Sequence, residues 1–328
     1  MAANLTHSTI GATMKPFIIV TDGMDKNAFT SLKAIPEFDV HPEAKLTQDQ
    51  LKTLLPKASA LVIRSATSVG AEYLEMAPNL KLVIRAGEGT DNIDKKACEQ
   101  KNCTVENTPG ANNNSAAEHA IALMMTLLRK TAWAHASMAS GQWDKNSFTG
   151  VELSNKKIGI IGFGRIGQIV CKRLAGFEPE VMFYDPFIKE SPFSYAKKCD
   201  DLKKIFSECD IITIHTPLMD ATRGLINAEL LNCMPKHAIL VNAARGGIVD
   251  EVALLSILKE KKIRGAAFDV FAKEPLEESS ELRKLDNLIL TPHLGASTEE
   301  AQDRVGAMAV EQLKEFFINN KTVNQVKA

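Results

Sequence analysis

The sequence of 328 residues predicts an α/β protein with a doubly wound parallel sheet and a second, smaller domain. Short apolar runs alternate with helix-like segments along the chain, as buried parallel strands and their crossover helices do. The chain is also longer than one ordinary hydrophobic core organises, so two domains are expected. Together the alternation and the length predict the fold class.

The N-terminal third carries the first set of apolar runs. The strands predicted there cover residues 17–20, 60–63, 80–84 and, more weakly, 104–106. Thr47 is a candidate N-cap for a helix that continues to residue 55. We expect residues 1–110 to form a small flavodoxin-like α/β domain for the substrate. An amphipathic helix within residues 297–328 is expected to return to that domain, so that it is discontinuous in sequence.

The second domain is predicted over residues 111–296. It begins with one long helix over about 115–140, and the candidate N-caps of that helix are Asn112, Asn113, Asn114 and Ser115. Six apolar strands follow, over residues 158–161, 181–184, 211–214, 238–242, 266–268 and 288–290. Six parallel strands with intervening helices are typical of a complete doubly wound domain. The two chain crossings, near residues 110 and 296, predict a hinge over a cleft.

A glycine-rich segment, residues 162–167, leaves the first of these six strands and opens a helix. Gly162 permits the tight turn, Gly164 lets the backbone approach a pyrophosphate, and Gly167 lets the helix pack on the sheet. Asp185 ends the next strand, about 20 residues on, where its carboxylate can bind both hydroxyls of an adenosine ribose. This arrangement predicts a Rossmann-type dinucleotide domain. Because no arginine follows Asp185 to bind a 2′-phosphate, the cofactor predicted is NAD rather than NADP.

Charged side chains follow the later strands, at the edge where open parallel sheets bind ligands. Hydride transfer at a carbon that bears a hydroxyl needs a base with a pKa near neutrality, which imidazole provides. A carboxylate would orient that imidazole, and an arginine fork would bind a substrate carboxylate. We therefore assign the base to His293, its support to Glu274 and the anion-binding role to Arg245.

The other histidines give weaker signals. His215 follows the third of the six strands, where it could compete for the base role or line the cleft. His119 and His135 lie on the predicted long helix, and we interpret both as packing or surface groups.

Composition excludes several classes of function. The formal net charge of −1 gives no general attraction to nucleic acid or acidic membranes. The six cysteines contain no Cys-x-x-Cys pair and are interpreted as reduced thiols of a cytoplasmic protein, with no metal site. Residues 1–13 lack the features of a signal peptide and are expected to form a loose extension. The longest apolar run, residues 121–128, is too short to span a bilayer.

Four segments resemble signatures of the D-isomer-specific 2-hydroxyacid dehydrogenases: residues 162–167, 242–250, 269–275 and 292–298. The resemblance covers almost the whole chain and implies that Arg245, Glu274 and His293 are the catalytic set. The NAD contacts that it implies are Arg165, Ile166, Asp185, Thr216, Ala243, Asp269 and Gly295. It also implies a homodimer built on the NAD-binding domain and its long helix.

Two arginines in the N-terminal third indicate the charge of the substrate. Arg64 and Arg85 each follow an apolar strand. Because Arg245 already provides a cation for the substrate carboxylate, these two further cations predict a second, doubly charged anionic group on the substrate. The expected substrate contacts are Arg64, Ser65, Arg85 and Gly87. The pattern is similar to the D-3-phosphoglycerate dehydrogenases, which open serine biosynthesis by oxidising 3-phosphoglycerate. Glu88 departs from it, because an acid there would repel a phosphate unless it turns outward or pairs with an arginine.

Two alternatives stay open. One is a reductase of hydroxypyruvate, glyoxylate or another 2-keto acid within the same family. The other is an NAD-sensing binding protein similar to the transcriptional corepressors that share this fold. Because the sequence ends at Ala328, soon after the returning helix, we expect no feedback by serine through an added regulatory domain.

Overall fold

The computed structural model describes residues 14–41 and 46–328, so the extension expected over residues 1–13 lies outside the described residues. The chain divides into two compact units. The small unit comprises Met1–Pro109 with Gln302–Ala328, and the large unit comprises Gly110–Ala301. Within the described residues, no helix is long and apolar enough to cross a membrane.

The small unit contains a five-stranded parallel sheet. Its strands are β1 (Phe17–Val20), β2 (Asp39–His41), β3 (Ala60–Ile63), β4 (Leu82–Arg85) and β5 (Thr104–Asn107), in the order β2-β1-β3-β4-β5. Its first helices are α1 (Lys26–Lys33), α2 (Gln48–Leu54), α3 (Ala71–Met76) and α4 (Lys95–Gln100). The predicted cap of α2 is confirmed, because the Thr47 hydroxyl accepts a hydrogen bond from the Gln50 amide at 3.3 Å. Strand β2 was not predicted, since none of its residues is fully buried.

The large unit contains a seven-stranded parallel sheet, one strand more than the sequence predicted. Its strands are β6 (Lys157–Ile161), β7 (Glu180–Tyr184), β8 (Ala196–Lys198), β9 (Ile211–Ile214), β10 (Ile239–Asn242), β11 (Gly265–Phe268) and β12 (Leu288–Leu290). The order is β12-β11-β10-β9-β6-β7-β8. The extra strand, β8, has one apolar residue in three and therefore gives no apolar run. The strand order reverses at β6, where an open sheet forms a ligand crevice.

The predicted long helix is wrong in one respect, because the structure breaks it into α5 (Asn113–Arg129) and α6 (Thr131–Ala139). Lys130 stands between them in a left-handed conformation with φ of 54°. Eight residues of α5 are buried but none of α6, although the partly buried Trp133 of α6 packs against the core. Of the candidate N-caps, Asn112 occupies the position, although its side chain makes no capping hydrogen bond.

The remaining helices of the large unit complete the crossovers. They are α7 (Arg165–Leu174), α8 (Leu202–Glu208), α9 (Ala228–Cys233) and α10 (Glu251–Lys259). Alternate residues of one strand enter opposite hydrophobic clusters: Leu240 packs with Phe206 and Phe268, whereas Val241 packs with Phe163 and Phe183. The central strands are therefore buried on both faces, as in a doubly wound sheet.

The last helix, α11 (Glu299–Phe317), begins two residues later than the predicted segment. From Gln302 onward it belongs to the small unit. A Cβ atom at Gly306 would lie 2.5 Å from the Ala28 side chain of α1, so the two helices approach closely. The buried Gln312 side chain donates to the carbonyl oxygens of Asn107 at 2.9 Å and Val323 at 3.1 Å. These contacts fasten both α11 and the C-terminal segment beside β5.

Candidate active site

The glycine turn after β6 is shaped by close backbone approaches. Gly162 has φ of +90°, and a Cβ atom there would lie 2.7 Å from the His215 backbone, so a side chain would be both strained and obstructed. A Cβ atom at Gly167 would lie 2.2 Å from the Gly162 carbonyl oxygen, which lets α7 pack against the turn. At Gly164, by contrast, the position of a Cβ atom faces open space. The turn leaves room for a phosphate group beside the N-terminus of α7.

Asp185, just after β7, is held in place by backbone amides. Its Oδ2 atom accepts from the Phe163 amide at 2.8 Å, and its Oδ1 atom accepts from those of Phe187 at 2.8 Å and Ile188 at 3.0 Å. The residue is buried, whereas the adjacent Phe187 is 79% exposed. The carboxylate is thus fixed between the glycine turn and the end of β7, where a ribose of a dinucleotide would lie.

Further features of this edge fit a dinucleotide. The hydroxyl of Thr216, which follows β9, is buried and has no hydrogen-bond partner among the described residues. A buried hydroxyl without a partner is costly, and a bound ligand can supply the partner. The helix α7 has no side-chain cap, and its N-terminus has the polarity that attracts an anion.

The loop after β10 carries Arg245. The buried Asn242 braces this loop, because its Nδ2 atom donates to the Arg245 carbonyl oxygen at 3.0 Å and its Oδ1 atom accepts from the Ala244 amide at 3.1 Å. A Cβ atom at Gly246 would lie 1.7 Å from the carbonyl oxygen of Phe271. The loops after β10 and β11 are therefore in direct backbone contact, which only glycine at position 246 allows.

Glu274 and His293 form the central contact of the site. The His293 Nδ1 atom lies 2.7 Å from Glu274 Oε2, and Glu274 Oε1 accepts from the Phe271 amide at 3.0 Å. Burial acts to raise the pKa of Glu274, but the hydrogen bonds from His293 and Phe271 outweigh it, so the pKa lies below its ordinary value. The ionised Glu274 accepts a hydrogen bond from the Nδ1–H group of His293, which leaves the Nε2 atom unprotonated in the neutral imidazole and able to take a proton.

Asp269 organises the loop that carries His293. Its buried carboxylate accepts from the Leu294 amide and the Gly295 amide, each at 2.8 Å, and from the Thr291 hydroxyl at 2.6 Å. Burial acts to raise the pKa of Asp269, but these bonds and a contact with His119 hold it below its ordinary value. Both carboxylate oxygens are therefore engaged within the protein.

The interpretation of His119 as a packing or surface group is wrong. Its Nε2 atom lies 3.1 Å from Asp269 Oδ1 and 3.2 Å from Thr291 Oγ1. One turn earlier on α5, the Ser115 hydroxyl lies 2.8 Å from the hydroxyl of Thr298. Residues four apart share a helix face, so a polar stripe of Ser115 and His119 on an otherwise apolar face was the available signal.

His215 does not compete for the base role in the structure. Its Nε2 atom lies 2.9 Å from the hydroxyl of Thr213, a buried residue of β9. Desolvation lowers the pKa of His215 to about 4, so the imidazole is neutral near pH 7. Its Nε2 atom is already hydrogen-bonded to a residue of the strand that it follows.

In the small unit, Arg64 begins a braced turn after β3. Asp22 accepts from the amides of Arg64 at 2.6 Å and Thr67 at 3.0 Å, while the Asn92 Nδ2 atom donates to the carbonyl oxygens of the same two residues. Desolvation lowers the pKa of Arg64, and the charge of Asp22 partly opposes that shift. The exposed Ser65 lies within the turn. Asp22 and Asn92 position this turn, and neither role was predicted, because both residues are distant from Arg64 in sequence.

Arg85 ends the neighbouring strand β4, and its side chain lies over Gly87. A Cβ atom at Gly87 would lie 1.5 Å from Arg85 Nη1, so any larger residue there would displace the guanidinium. Glu88 is only partly exposed, and its carbonyl oxygen accepts from Asn107 Nδ2 at 2.6 Å. Because β3 and β4 pair in parallel, Arg64 and Arg85 stand at the same edge of the small sheet.

The predicted site residues are therefore divided between the two units. Arg245, Glu274 and His293 follow β10, β11 and β12, which are neighbours in the large sheet. In the portions of the chain that the structure describes, no group of three or more His, Cys, Asp or Glu residues is arranged to hold a metal ion.

Known proteins are similar to this chain over most of its length. A family model described as D-isomer specific 2-hydroxyacid dehydrogenase, NAD binding domain, matches residues 121–295. A D-3-phosphoglycerate dehydrogenase of Methanocaldococcus jannaschii is 44% identical over 94% of this chain and 59% of its own length. A hydroxypyruvate reductase of Thermotoga maritima is 43% identical over 90% of this chain and 96% of its own length.

A solved structure shows the same fold. The NAD⁺-bound 3-phosphoglycerate dehydrogenase of Entamoeba histolytica superposes with a TM-score of 0.80 at 28% identity, covering 96% of this chain and 99% of that one. The chain spans little more than half the length of the Methanocaldococcus jannaschii phosphoglycerate dehydrogenase, whereas it spans nearly all of the Thermotoga maritima reductase.

Proposed function

Because the chain belongs to the D-isomer specific 2-hydroxyacid dehydrogenase family, we propose that it is an NAD-dependent D-3-phosphoglycerate dehydrogenase. This activity oxidises 3-phosphoglycerate to 3-phosphohydroxypyruvate at the start of serine biosynthesis. The observation that carries the reaction class is the 2.7 Å contact between His293 Nδ1 and Glu274 Oε2, at the sheet edge that also bears the glycine turn.

The residues of the large unit divide the chemistry between them. The chemistry that NAD supplies when bound is acceptance of a hydride from the carbon that bears the hydroxyl. The Nε2 atom of His293 takes the hydroxyl proton, and the carboxylate of Glu274 stabilises the imidazolium that results. The guanidinium of Arg245 binds the substrate carboxylate and polarises the carbonyl oxygen as it forms. In the reductive direction His293 returns the proton.

The cofactor is proposed to lie along the edge from the glycine turn to β12. Gly162, Gly164 and Gly167 shape the pyrophosphate site, and the fixed carboxylate of Asp185 binds the adenosine ribose. Further contacts are carried over from the family resemblance to Arg165, Ile166, Thr216, Ala243, Asp269 and Gly295. Asp269 also holds the loop that borders the cofactor, through its bonds to Thr291, Leu294 and Gly295.

The phosphate of the substrate is assigned to the small unit. Arg64 and Arg85 stand at one sheet edge, and the braced turn around Arg64 fixes the position of its backbone. Ser65 and Gly87 complete the proposed contacts. Two guanidinium groups suit a dianion better than they suit an uncharged hydroxymethyl group. This charge pattern supports a phosphorylated hydroxy acid.

A second candidate function is reduction of hydroxypyruvate. One observation favours it: the hydroxypyruvate reductase of Thermotoga maritima matches this chain over 96% of its own length. Glu88 also places an acid three residues after the end of β4, next to Gly87. Both substrates would use the same proton transfer at His293, and they differ only in the need for the phosphate site.

A panel of 2-keto acids with NADH, scored by kcat/KM, separates the candidates. We expect phosphohydroxypyruvate to give the highest value and to saturate at a lower concentration than hydroxypyruvate and glyoxylate. A higher value with hydroxypyruvate would replace the first candidate with the second. Tight NADH binding without turnover of any 2-keto acid would instead support an NAD-sensing binding protein.

We also propose a homodimer through the NAD-binding domain. The helix α6 buries no residue, and Met138 near its end is 52% exposed. Trp143, which follows it, is 84% exposed. An uncovered apolar surface of this kind is typical of a protein interface.

Light scattering coupled to size-exclusion chromatography tests the dimer. Trp143→Ala is expected to shift the protein toward the monomer, whereas Val252→Ala, at another exposed apolar residue of the large unit, should not. A monomeric native protein would contradict the proposal.

The protein is further assigned to the cytoplasm. All six cysteines are free, and four of them are buried. Free thiols are typical of reducing compartments. Titration of six thiols in protein isolated without reductant would agree, and a native disulfide would contradict the assignment.

A further inference from the structure

A polar contact joins the middle of α5 to the loop that carries His293. His119 lies on α5 with 18% of its side chain exposed. Its Nε2 atom lies within hydrogen-bond distance of both Asp269 Oδ1, at 3.1 Å, and Thr291 Oγ1, at 3.2 Å. The three groups form a compact triangle inside the large unit.

The direction of each hydrogen bond follows from the chemistry of the groups. Asp269 is held in its ionised form and therefore only accepts. The Thr291 hydroxyl has one proton, which it donates to Asp269 Oδ1 at 2.6 Å, so toward His119 it can only accept. The Nε2 atom of His119 must consequently carry a proton and donate to both oxygens.

Asp269, which is hydrogen-bonded to His119, also binds the backbone of the loop after β12. Its carbonyl oxygen accepts from the His293 amide at 2.9 Å, and its carboxylate accepts from the amides of Leu294 and Gly295. Three successive amides are thus bound to one residue. His293 itself has φ of +55°, a left-handed conformation that residues other than glycine hold only when their surroundings impose it.

We propose that His119 is a positioning residue for His293, acting through Asp269 and Thr291. By fixing the carboxylate and the threonine from the opposite side, it holds the left-handed loop and so the direction in which the imidazole of His293 meets Glu274. The proposal deepens the proposed function and rests on His293 as the proton-transfer group. It does not depend on which 2-keto acid is the substrate.

The chain contains a matched control for this contact. His237 Nε2 lies 3.0 Å from Asp210 Oδ1, a histidine–aspartate contact in the same unit. These two residues precede β10 and β9, at the edge of the sheet opposite to the site. Removal of either histidine side chain deletes the same kind of contact, but only one of the two adjoins the loop of His293.

The test compares His119→Leu, His119→Gln and His237→Leu in the full chain. For each protein, kcat and KM are measured with NADH and both phosphohydroxypyruvate and hydroxypyruvate, together with the NADH dissociation constant from fluorescence. His119→Leu cannot donate a hydrogen bond and is expected to lower kcat by roughly tenfold to a hundredfold, since displacement of a reacting group by about 1 Å has that effect. The KM values should change much less than kcat.

His119→Gln retains a donor near the position of Nε2 and is expected to recover most of the lost kcat. Thr291→Val keeps the shape of the side chain but removes the hydroxyl, so it should reproduce the loss. The double variant of His119→Leu and Thr291→Val should lose little more than either alone, because both break one connection. His237→Leu should keep the native kcat.

Three results would overturn the proposal. They are equal kcat in His119→Leu and His237→Leu, equal loss in the Gln and Leu variants, or native kcat in Thr291→Val. Should His119→Leu not fold, the Gln and Val variants decide the question. A native enzyme that prefers hydroxypyruvate would end the substrate proposal alone, since the ratio of variant to native kcat would be unaffected.

Discussion

The Nδ1 atom of His293 lies 2.7 Å from the Oε2 atom of Glu274, and the two residues follow neighbouring strands of one parallel sheet. The other oxygen of Glu274 accepts from the Phe271 amide, so the carboxylate is restrained at both ends. This contact engages Nδ1 of His293, so in the proposed reaction Nε2 is the nitrogen that faces the substrate. The proton-transfer group of the proposed reaction is therefore oriented by a loop from a different strand.

Arg64→Ala tests the phosphate site. Loss of a hydrogen bond to a charged group costs about 1.5–3 kcal/mol, so KM for phosphohydroxypyruvate should rise by roughly tenfold or more. The KM for glyoxylate, which has no phosphate, should change little. Steady-state kinetics with NADH measures both values, and Lys57→Ala, at an exposed cation of the same unit, serves as control. Equal increases for the two substrates would remove Arg64 from phosphate recognition.

Asp185→Ser tests cofactor choice. In the proposed cofactor site the native carboxylate faces the ribose and would repel a 2′-phosphate, a juxtaposition of like charges that costs several kcal/mol. The native enzyme should therefore use NADH at least about a hundredfold more efficiently than NADPH, and the variant should lose much of that preference. Comparable kcat/KM for both cofactors in the native enzyme would contradict this role.

Gly246→Ala tests the contact between the loops after β10 and β11. A methyl group there would meet the Phe271 carbonyl oxygen at 1.7 Å, and a backbone atom cannot move aside cheaply. We expect a loss of roughly 2–4 kcal/mol in the free energy of unfolding by urea, the scale of severe overpacking. Gly176→Ala is the matched control, since a Cβ atom there meets nothing within 4 Å. Equal stability of the two variants would show that the loops separate without cost.

Glu106 predicts a pH dependence of stability. It is fully buried, and its burial raises the pKa to about 7, against an ordinary value of 4.5 in an unfolded chain. Between these two values the folded protein holds a proton that the unfolded chain has released. Its contribution to stability is therefore present below pH 4.5 and is lost as pH rises toward 7, by about 3 kcal/mol in total.

Urea unfolding from about pH 5 to pH 8 measures this effect as the difference between variant and native protein. Glu106→Gln cannot ionise, so its stability relative to the native protein should increase as pH rises through that window. Glu75→Gln, at an exposed position of the same unit, should show no such trend. Parallel curves for Glu106→Gln and the native protein would contradict the raised pKa.

Most strands of the two sheets were predicted, because buried parallel strands consist of consecutive apolar residues that can be recognised in the sequence. It missed β2 and β8, which lie at the edges of their sheets and have one neighbouring strand each. Edge strands are short and carry polar residues, so they leave no apolar run. The break at Lys130 was also missed, since the residues on both sides of it favour a helix and only the left-handed conformation of Lys130 separates them.

In the candidate site, too, residues in local sequence patterns were predicted and residues that act through long-range contacts were missed. The glycine turn, Asp185 and the strand-end residues follow local patterns and were predicted from them. The braces Asp22, Asn92 and His119 were not, because each acts on residues far away in the sequence: Asp22 on Arg64, and His119 on Asp269. No local pattern records such a contact, which depends on the folded arrangement of separate elements.

His293→Asn tests the central claim most directly, because asparagine keeps a hydrogen bond to Glu274 but cannot transfer a proton near neutral pH. The measurement is kcat with NADH and phosphohydroxypyruvate, alongside the NADH dissociation constant. The expected result is a fall in kcat of about 10²- to 10⁴-fold, the usual contribution of a general acid–base group, with NADH binding nearly unchanged. A variant that keeps native turnover would contradict the account.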